Sequence, residues 1–328
     1  MLPRRRHLLQ TATLAAATVP VAAAAQSAAW SPTRPIRLVV PFAAGGSTDV
    51  AARILAERMG ETLGQPVVVE NRSGSAGLIG SENVVRSAPD GHSLLMGATG
   101  VLAIAPHLYA NMPFKVDRDL APVSLAFASD LVISVANSVP ARTLRELIEL
   151  AKARPGALSY ASSGTGTTTH TATELFRLAA GIELLHVPYR GSGPAMNDLM
   201  AGTVQIMVDQ IAGSIGQIRD GRIRALAVTG ARRHALLPDV PTVVEEGLPG
   251  AQASSWGAIM APAGTPAPAI ARLAAAVREA VEQPTVRTRM ANAGADPAAS
   301  TPEELAAFIR SESEKWGRVV REARIRVE

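Results

Sequence analysis

The sequence has no cysteine, and its aromatic residues are only five Phe, three Tyr and three Trp in 328 positions. Without thiols there is no disulfide, thiolate nucleophile, iron–sulfur cluster or cysteine zinc site. That absence is compatible with any compartment, an oxidising one included. The scarcity of aromatics argues against stacking platforms for single-stranded nucleic acid. Lysine occurs only at Lys115, Lys152 and Lys315, so no phosphate loop ending in Gly-Lys is present. The six His show no metal-binding spacing such as His-Glu-x-x-His, and no Gly-x-Ser-x-Gly nucleophile elbow occurs. Past the first 25 residues, no run approaches the ~18 apolar residues that a membrane helix needs.

What is present suits a folded chain. Hydrophobic residues make up 47% and charged residues 18%, which excludes intrinsic disorder. At roughly 100–200 residues per domain, the length allows two domains. The formal charge of +4 owes most of its excess to Arg4, Arg5 and Arg6. Removing a leader that ends at Ala25 leaves 29 basic and 28 acidic residues, too balanced for a nucleic-acid footprint. That leader is the expected reading of residues 1–25. Arg4–Arg6 form a charged start, Leu8–Ala25 is apolar and Ala-rich, and Ala23-Ala24-Ala25 offers small residues for cleavage. The arginines also resemble a twin-arginine signal, so Sec and twin-arginine routes are both open. The expected location is periplasmic.

The body alternates strand and helix. Strands are expected at Ile36–Val40, Val67–Val69, Leu94–Met96, Val132–Val135, Ser159-Tyr160, Leu184–Val187, Val204–Val208, Ala225–Val228 and Gly257–Met260. Helices are expected from Ser47 to about Met59, over 79–87, and from about Thr167 to Ala180. Capping boxes at Thr143–Glu146 and Thr301–Glu304 open two more. This order predicts an α/β fold of mainly parallel sheets flanked by helices, in two similar halves without a linker.

Four polar, glycine-rich segments follow predicted strands: 41–49, 71–77, 97–100 and 162–167. Ligands of open α/β sheets sit outside the carboxyl ends of strands. There a glycine loop exposes backbone N–H groups, and the next helix adds unsatisfied donors and a positive dipole end. Together they form an anion site that needs no Arg. The plain alternative is a set of tight turns, which four loops of the same placement make less attractive. Gly164-Thr165-Gly166 begins like a dinucleotide fingerprint, but Thr169 stands where the third Gly belongs. Asp49 reads as a helix-start carboxylate.

Pro41-Phe42-Ala43-Ala44-Gly45-Gly46-Ser47-Thr48-Asp49 with Ala52-Arg53 resembles the opening motif of the Bug-type receptors, the substrate-binding proteins of tripartite tricarboxylate transporters. Val69-Glu70-Asn71-Arg72, Pro89-Asp90-Gly91, Val187-Pro188-Tyr189-Arg190-Gly191, Leu237-Pro238-Asp239-Val240-Pro241-Thr242 and Ala261-Pro262-Ala263-Gly264-Thr265-Pro266 extend the resemblance along the chain. It implies a two-lobed periplasmic binding protein that closes on a small carboxylate and hands it to permease subunits in the membrane. One lobe would hold 34–130 with 252–328, the other 131–251. By resemblance, the ligand would be held by Ala44, Gly45, Gly46, Ser47, Thr48 and Asp49, by Ala98 and Thr99, and by Ser162, Ser163, Gly164, Thr165 and Gly166, with Thr167, His170 and Asp209 close by. Asp209 is either an acceptor for a ligand ammonium or hydroxyl or a helix cap after its strand. Phe42, Tyr189 and Trp256 are the aromatic candidates for a cleft wall. No cofactor, metal or nucleic acid is implied, and a monomer is expected. Two further readings stand beside transport: a receptor that reports its ligand to a periplasmic sensor domain, and a hydrolase using Ser163 and His170.

Overall fold

A computed structural model describes residues 30–327. The expected leader lies outside the described residues. Five buried or half-buried residues form β1 (Ile36–Val40), followed by α1 (Ser47–Leu63), β2 (Val67–Asn71), α2 (Leu78–Val85) and β3 (Ser93–Ala98). A π-helical turn at Gly100–Ile104 runs into α3 (Ala105–Leu108), and α4 (Val116–Asp119) leads to β4 (Leu120–Ala136). Then come α5 (Leu144–Ala153), β5 (Ser159–Ser162), α6 (Thr168–Ala180), β6 (Leu185–Pro188), α7 (Ser192–Ala201), β7 (Ile206–Gln210), α8 (Ile211–Arg219) and β8 (Ile223–Val228). The chain closes with β9 (Ser254–Pro262), α9 (Ala267–Glu282), α10 (Pro284–Asn292), β10 (Asp296–Pro297) and α11 (Pro302–Glu322).

The strands join in the order β2-β1-β3-β9-β4-β7-β5-β6, with β8 and β10 also on β4. The triplets β2-β1-β3 and β7-β5-β6 are parallel within themselves, as the strand–helix alternation requires. The centre is antiparallel. β9 runs against β3 and against Leu120–Asp130 of β4. From Leu131 onward β4 changes partners and pairs with β7 and β8. The sheet is therefore mixed, and β4 is one strand of 17 residues shared by both halves.

Thr229 ties the two chain crossings together. Its hydroxyl donates to the carbonyl of Ala253 (2.7 Å) and accepts from the N–H of Leu131 (3.0 Å). Beside it, a Cβ on Gly230 would fall 2.0 Å from the Asp130 carboxylate, so any larger residue there would have to displace the Asp130 side chain.

Two helix starts show how local sequence is read. Thr301 and Glu304 form the expected reciprocal box at α11. At α5, Thr143 accepts from Glu146 N–H, but the Glu146 carboxylate takes the N–H of Arg142 instead of Thr143. Helix α11 is fixed to the sheet by Glu312, which accepts from the indole N–H groups of both Trp256 and Trp316 at 2.9 Å. Trp256 is thus a core residue and does not line a cleft.

Candidate ligand-binding site

The loop after β1 is shaped by its own acid. Gly45 has φ +86, a left-handed conformation that favours glycine. Its N–H donates to Asp49 Oδ2 at 2.8 Å. Asn71, at the end of β2, donates to Asp49 Oδ1 (2.9 Å) and to the carbonyl of Phe42 (3.1 Å). Arg53, one turn along α1, also donates to Asp49 and to Asn71. Burial raises the Asp49 pKa, but the hydrogen bonds from Arg53, Gly45 and Asn71 outweigh it and hold the carboxyl below its ordinary range. Asp49 therefore holds the loop. The N-cap of α1 is Gly46, which has no side chain to accept from the first turn, and no side-chain cap is made. The N–H groups of Ser47, Thr48 and Asp49 thus open a 17-residue helix without an intrahelical or N-cap side-chain partner.

The loop after β5 is built from hydroxyls and imidazoles. Gly164 (φ +135) and Gly166 (φ +78) set its path. Ser163 N–H donates to Thr169 Oγ1 at 2.9 Å, and Thr167 Oγ1 donates to the carbonyl of Gly164 at 2.7 Å. Thr167 also caps α6 by accepting from the N–H of His170. Gly166 N–H donates to His170 Nδ1 at 3.0 Å. Beneath the loop the rings of His170 and His186 stack at 3.9 Å with 10° between their planes, and Tyr160 stacks on His186 at 4.8 Å. Ser162 Oγ accepts from Gly164 N–H at 3.2 Å and pairs with His186 Nε2 at 2.7 Å. Burial, then the neighbouring His186, push the His170 pKa down to about 3, so the stack is neutral.

The two loops face one cavity of about 810 Å³. Of the residues expected at a site, Gly45, Gly46, Ser47, Thr48, Asp49, Ala98, Ser163, Thr165, Gly166, Thr167 and Asp209 line it. Ala44, Thr99, Ser162, Gly164 and His170 are not part of its wall. Thr99 is buried and clasps the Trp256 backbone from both sides, accepting its N–H (2.8 Å) and donating to its carbonyl (3.2 Å). Ser162 and His170 support the second loop from behind. Tyr189 is also absent from the wall; its hydroxyl donates to Asp198 at 2.6 Å. Asp209 belongs to β7 itself, not to the turn after it, because the strand runs two residues further than the Val204–Val208 pattern indicates. The Ser163–His170 pair of a hydrolase is not assembled: Ser163 Oγ pairs with Thr169 Oγ1, and His170 Nδ1 is occupied by Gly166.

The sequence reading missed Gln210 and Ser192. Gln210 Oε1 accepts from Ser47 Oγ at 3.1 Å, and its Nε2 donates to Ser255 Oγ at 3.3 Å. It thus links the two halves across the cavity. Its position directly after Asp209 is the one available signal. Ser192 opens α7, which the hydrophobic pattern did not reveal. A close approach of Leu108 to Gly166 also brings the halves together: a Cβ on Gly166 would sit 2.6 Å from Leu108 Cδ1.

Among the described residues, no Lys, Arg or His lines the cavity. An acidic ligand would therefore meet backbone N–H groups, hydroxyls and a helix start rather than a basic side chain. The family model of the tripartite tricarboxylate transporter family receptor matches residues 51–325. The chain belongs to that receptor family. BugT of Bordetella pertussis is 41% identical over 301 residues, covering 92% of both chains. A solved structure described as R. palustris Rpa4515 with adipate is similar at 35% identity and TM-score 0.79, over 90% of this chain and 99% of that one. MatC from Rhodopseudomonas palustris, solved with bound malate, is 35% identical with TM-score 0.74, over 88% and 99%. The fold of this receptor-family chain is accordingly the two-lobed periplasmic-binding-protein fold expected from the resemblance.

Proposed function

We propose that the chain is an extracytoplasmic receptor that captures a small carboxylate between its lobes and delivers it to the permease of a tripartite tricarboxylate transporter. The observation that carries this reading is the start of α1, whose N–H groups lack intrahelical partners beside a cavity that no basic side chain lines among the described residues. The ligands of the two solved relatives, adipate and malate, are carboxylates of the same size class. The lobes are 34–130 with 252–328, and 131–251, hinged where β4 changes partners. Each lobe supplies one glycine loop, so a ligand completes its contacts only when the cleft closes. Ala44, Gly45, Gly46, Ser47, Thr48, Asp49 and Ala98 serve the first half, and Ser163, Thr165, Gly166, Thr167 and Asp209 the second, with Thr99, Ser162, Gly164 and His170 shaping the walls. Residues 1–25 direct export to the periplasm and are cleaved.

The test is a thermal-shift screen of refolded mature protein against di- and tricarboxylates, acidic amino acids and aromatic carboxylates. A ligand at a hundred times its dissociation constant adds about 2.7 kcal/mol of stability. A hit within one chemical class supports the receptor reading. A panel without a hit counts against it. Uptake of the hit in cells with and without the cognate permease then separates transport from sensing.

A further inference from the structure

Asp209 is the group in the cavity wall that neither the loop architecture nor the anion site accounts for. It is 4% exposed and lines the cavity. Among the described residues its one side-chain partner is Ser192, whose hydroxyl donates to Oδ1 at 3.2 Å. The N-cap of α8 is Gln210, so Asp209 does not occupy the capping position. Gly213 passes so close that a Cβ there would meet Asp209 Oδ2 at 3.2 Å, which keeps bulk away from the carboxylate. Among the described residues no cation pairs with it. Helix α7 carries Asp198, already bonded to Tyr189, and α8 carries Arg219 in its last turn; neither bonds to Asp209. The cavity's other carboxylate, Asp49, is held by Arg53, Asn71 and Gly45. Burial pushes the Asp209 carboxyl up to about 6, against the pull of Gln210 N–H and Ser192, which leaves it chiefly ionised at pH 7.5.

A buried carboxylate beside a bound carboxylate repels it unless a hydrogen-bond donor lies between them. Among the described residues no Lys, Arg or His lines the cavity, and the side-chain donor that reaches Asp209, the Ser192 hydroxyl, already gives its proton to Oδ1. We infer that Asp209 selects a carboxylate that brings its own donor, a hydroxyl or ammonium on the carbon beside the carboxylate, and discriminates against the unsubstituted acid. This rests on the receptor reading above and names the ligand class within it.

The experiment is calorimetric titration of ligand-stripped mature protein at pH 7.5, wild type and Asp209→Asn, with matched probes. These are L-malate and L-aspartate against succinate, and mandelate against phenylacetate. Wild type is expected to bind the substituted member of at least one pair roughly tenfold or more tightly, the scale of one hydrogen bond to a charged group. In Asp209→Asn the preference collapses, while the unsubstituted acid binds as well as before or better. That retained binding, with an unchanged melting profile, shows that the variant is folded. Equal affinity within the pairs, binding confined to unsubstituted acids, or a preference that survives Asp209→Asn each overturns the inference and leaves the receptor reading standing. A protein that binds none of these probes and nothing in the wider carboxylate panel overturns the receptor reading itself.

Discussion

The two glycine loops solve one problem by opposite chemistry. The first is held by a charged frame: Asp49, Arg53 and Asn71 bind the loop from within, and the N-terminus of α1 stays uncapped. The second is held by neutral groups: the Thr169 and Ser162 hydroxyls and the His170 imidazole accept its amides, His186 stacks beneath, and Thr167 caps α6. The difference lies in where free donors remain. On the first side the helix start itself is open to a ligand. On the second side most loop donors already have partners, so this wall offers shape and hydroxyls more than unsatisfied N–H groups.

This contrast can be broken most sharply at the first helical residue of each loop. Ser47→Pro deletes one N–H while leaving a good helix start, because Gly46 already has the extended geometry that precedes proline. Calorimetry with the ligand found by screening should show a loss of roughly tenfold to a hundredfold, the scale of a hydrogen bond to a charged group. Ser47→Ala, which removes only the hydroxyl, should lose less, and Thr168→Pro on the capped α6 should lose less than Ser47→Pro. Equal losses at the two helices would erase the distinction drawn here.

Removal of the charged frame comes next. Asp49→Ala leaves Gly45 N–H and the Asn71 amide without their acceptor, and chemical denaturation should report about 1–3 kcal/mol of lost stability.

Acid should then separate the loops. The Asp49 carboxyl lies below its ordinary value of 3.8, so its contribution is complete above that pH and fades only as pH falls through the lowered value. His170 is depressed from 6.5 to about 3, so below pH 6.5 the unfolded chain takes a proton that the folded chain refuses. Stability should decline from pH 6.5 downward. His170→Gln should flatten part of that slope in a series of melting curves, with His186, also depressed by burial, supplying the rest. A slope unchanged by the substitution would assign the acid sensitivity elsewhere.

The smallest expected effect belongs to the link across the cavity. Gln210→Ala removes the bonds to Ser47 and Ser255, and should weaken ligand binding by roughly 0.5–1.5 kcal/mol, the net scale of neutral hydrogen bonds. No change in affinity would make that link incidental to closure.

The first loop was the more legible of the two. Its glycines, its helix-start acid and the helix behind it are consecutive, so the pattern of 41–53 carries the geometry. The second loop was read at Ser163, Thr165, Gly166 and Thr167, but His170 was placed on the ligand side. A histidine in the first turn of a helix points along one of several directions, and only the packing of His186 against it from β6 turns it under the loop. Thr99 lies off the cavity wall for a similar reason: its hydroxyl is claimed by Trp256, 157 residues away. The parallel triplets were legible because strand–helix alternation admits few other arrangements. The antiparallel centre was not, since a 17-residue strand that changes partners at Leu131 carries no local mark of the exchange.

Hydrophobic periodicity, turn chemistry and capping act within a few residues. By themselves they determined the alternating strands and helices and the glycine loops at strand ends, and with them the expectation of an anion site. Tertiary structure decided which loop donors remain free, that Gln210 joins the halves, and that Asp209 is left buried without a cation. Each of these depends on which distant groups are packed alongside, and a buried polar group takes whatever partner the fold brings within hydrogen-bonding reach.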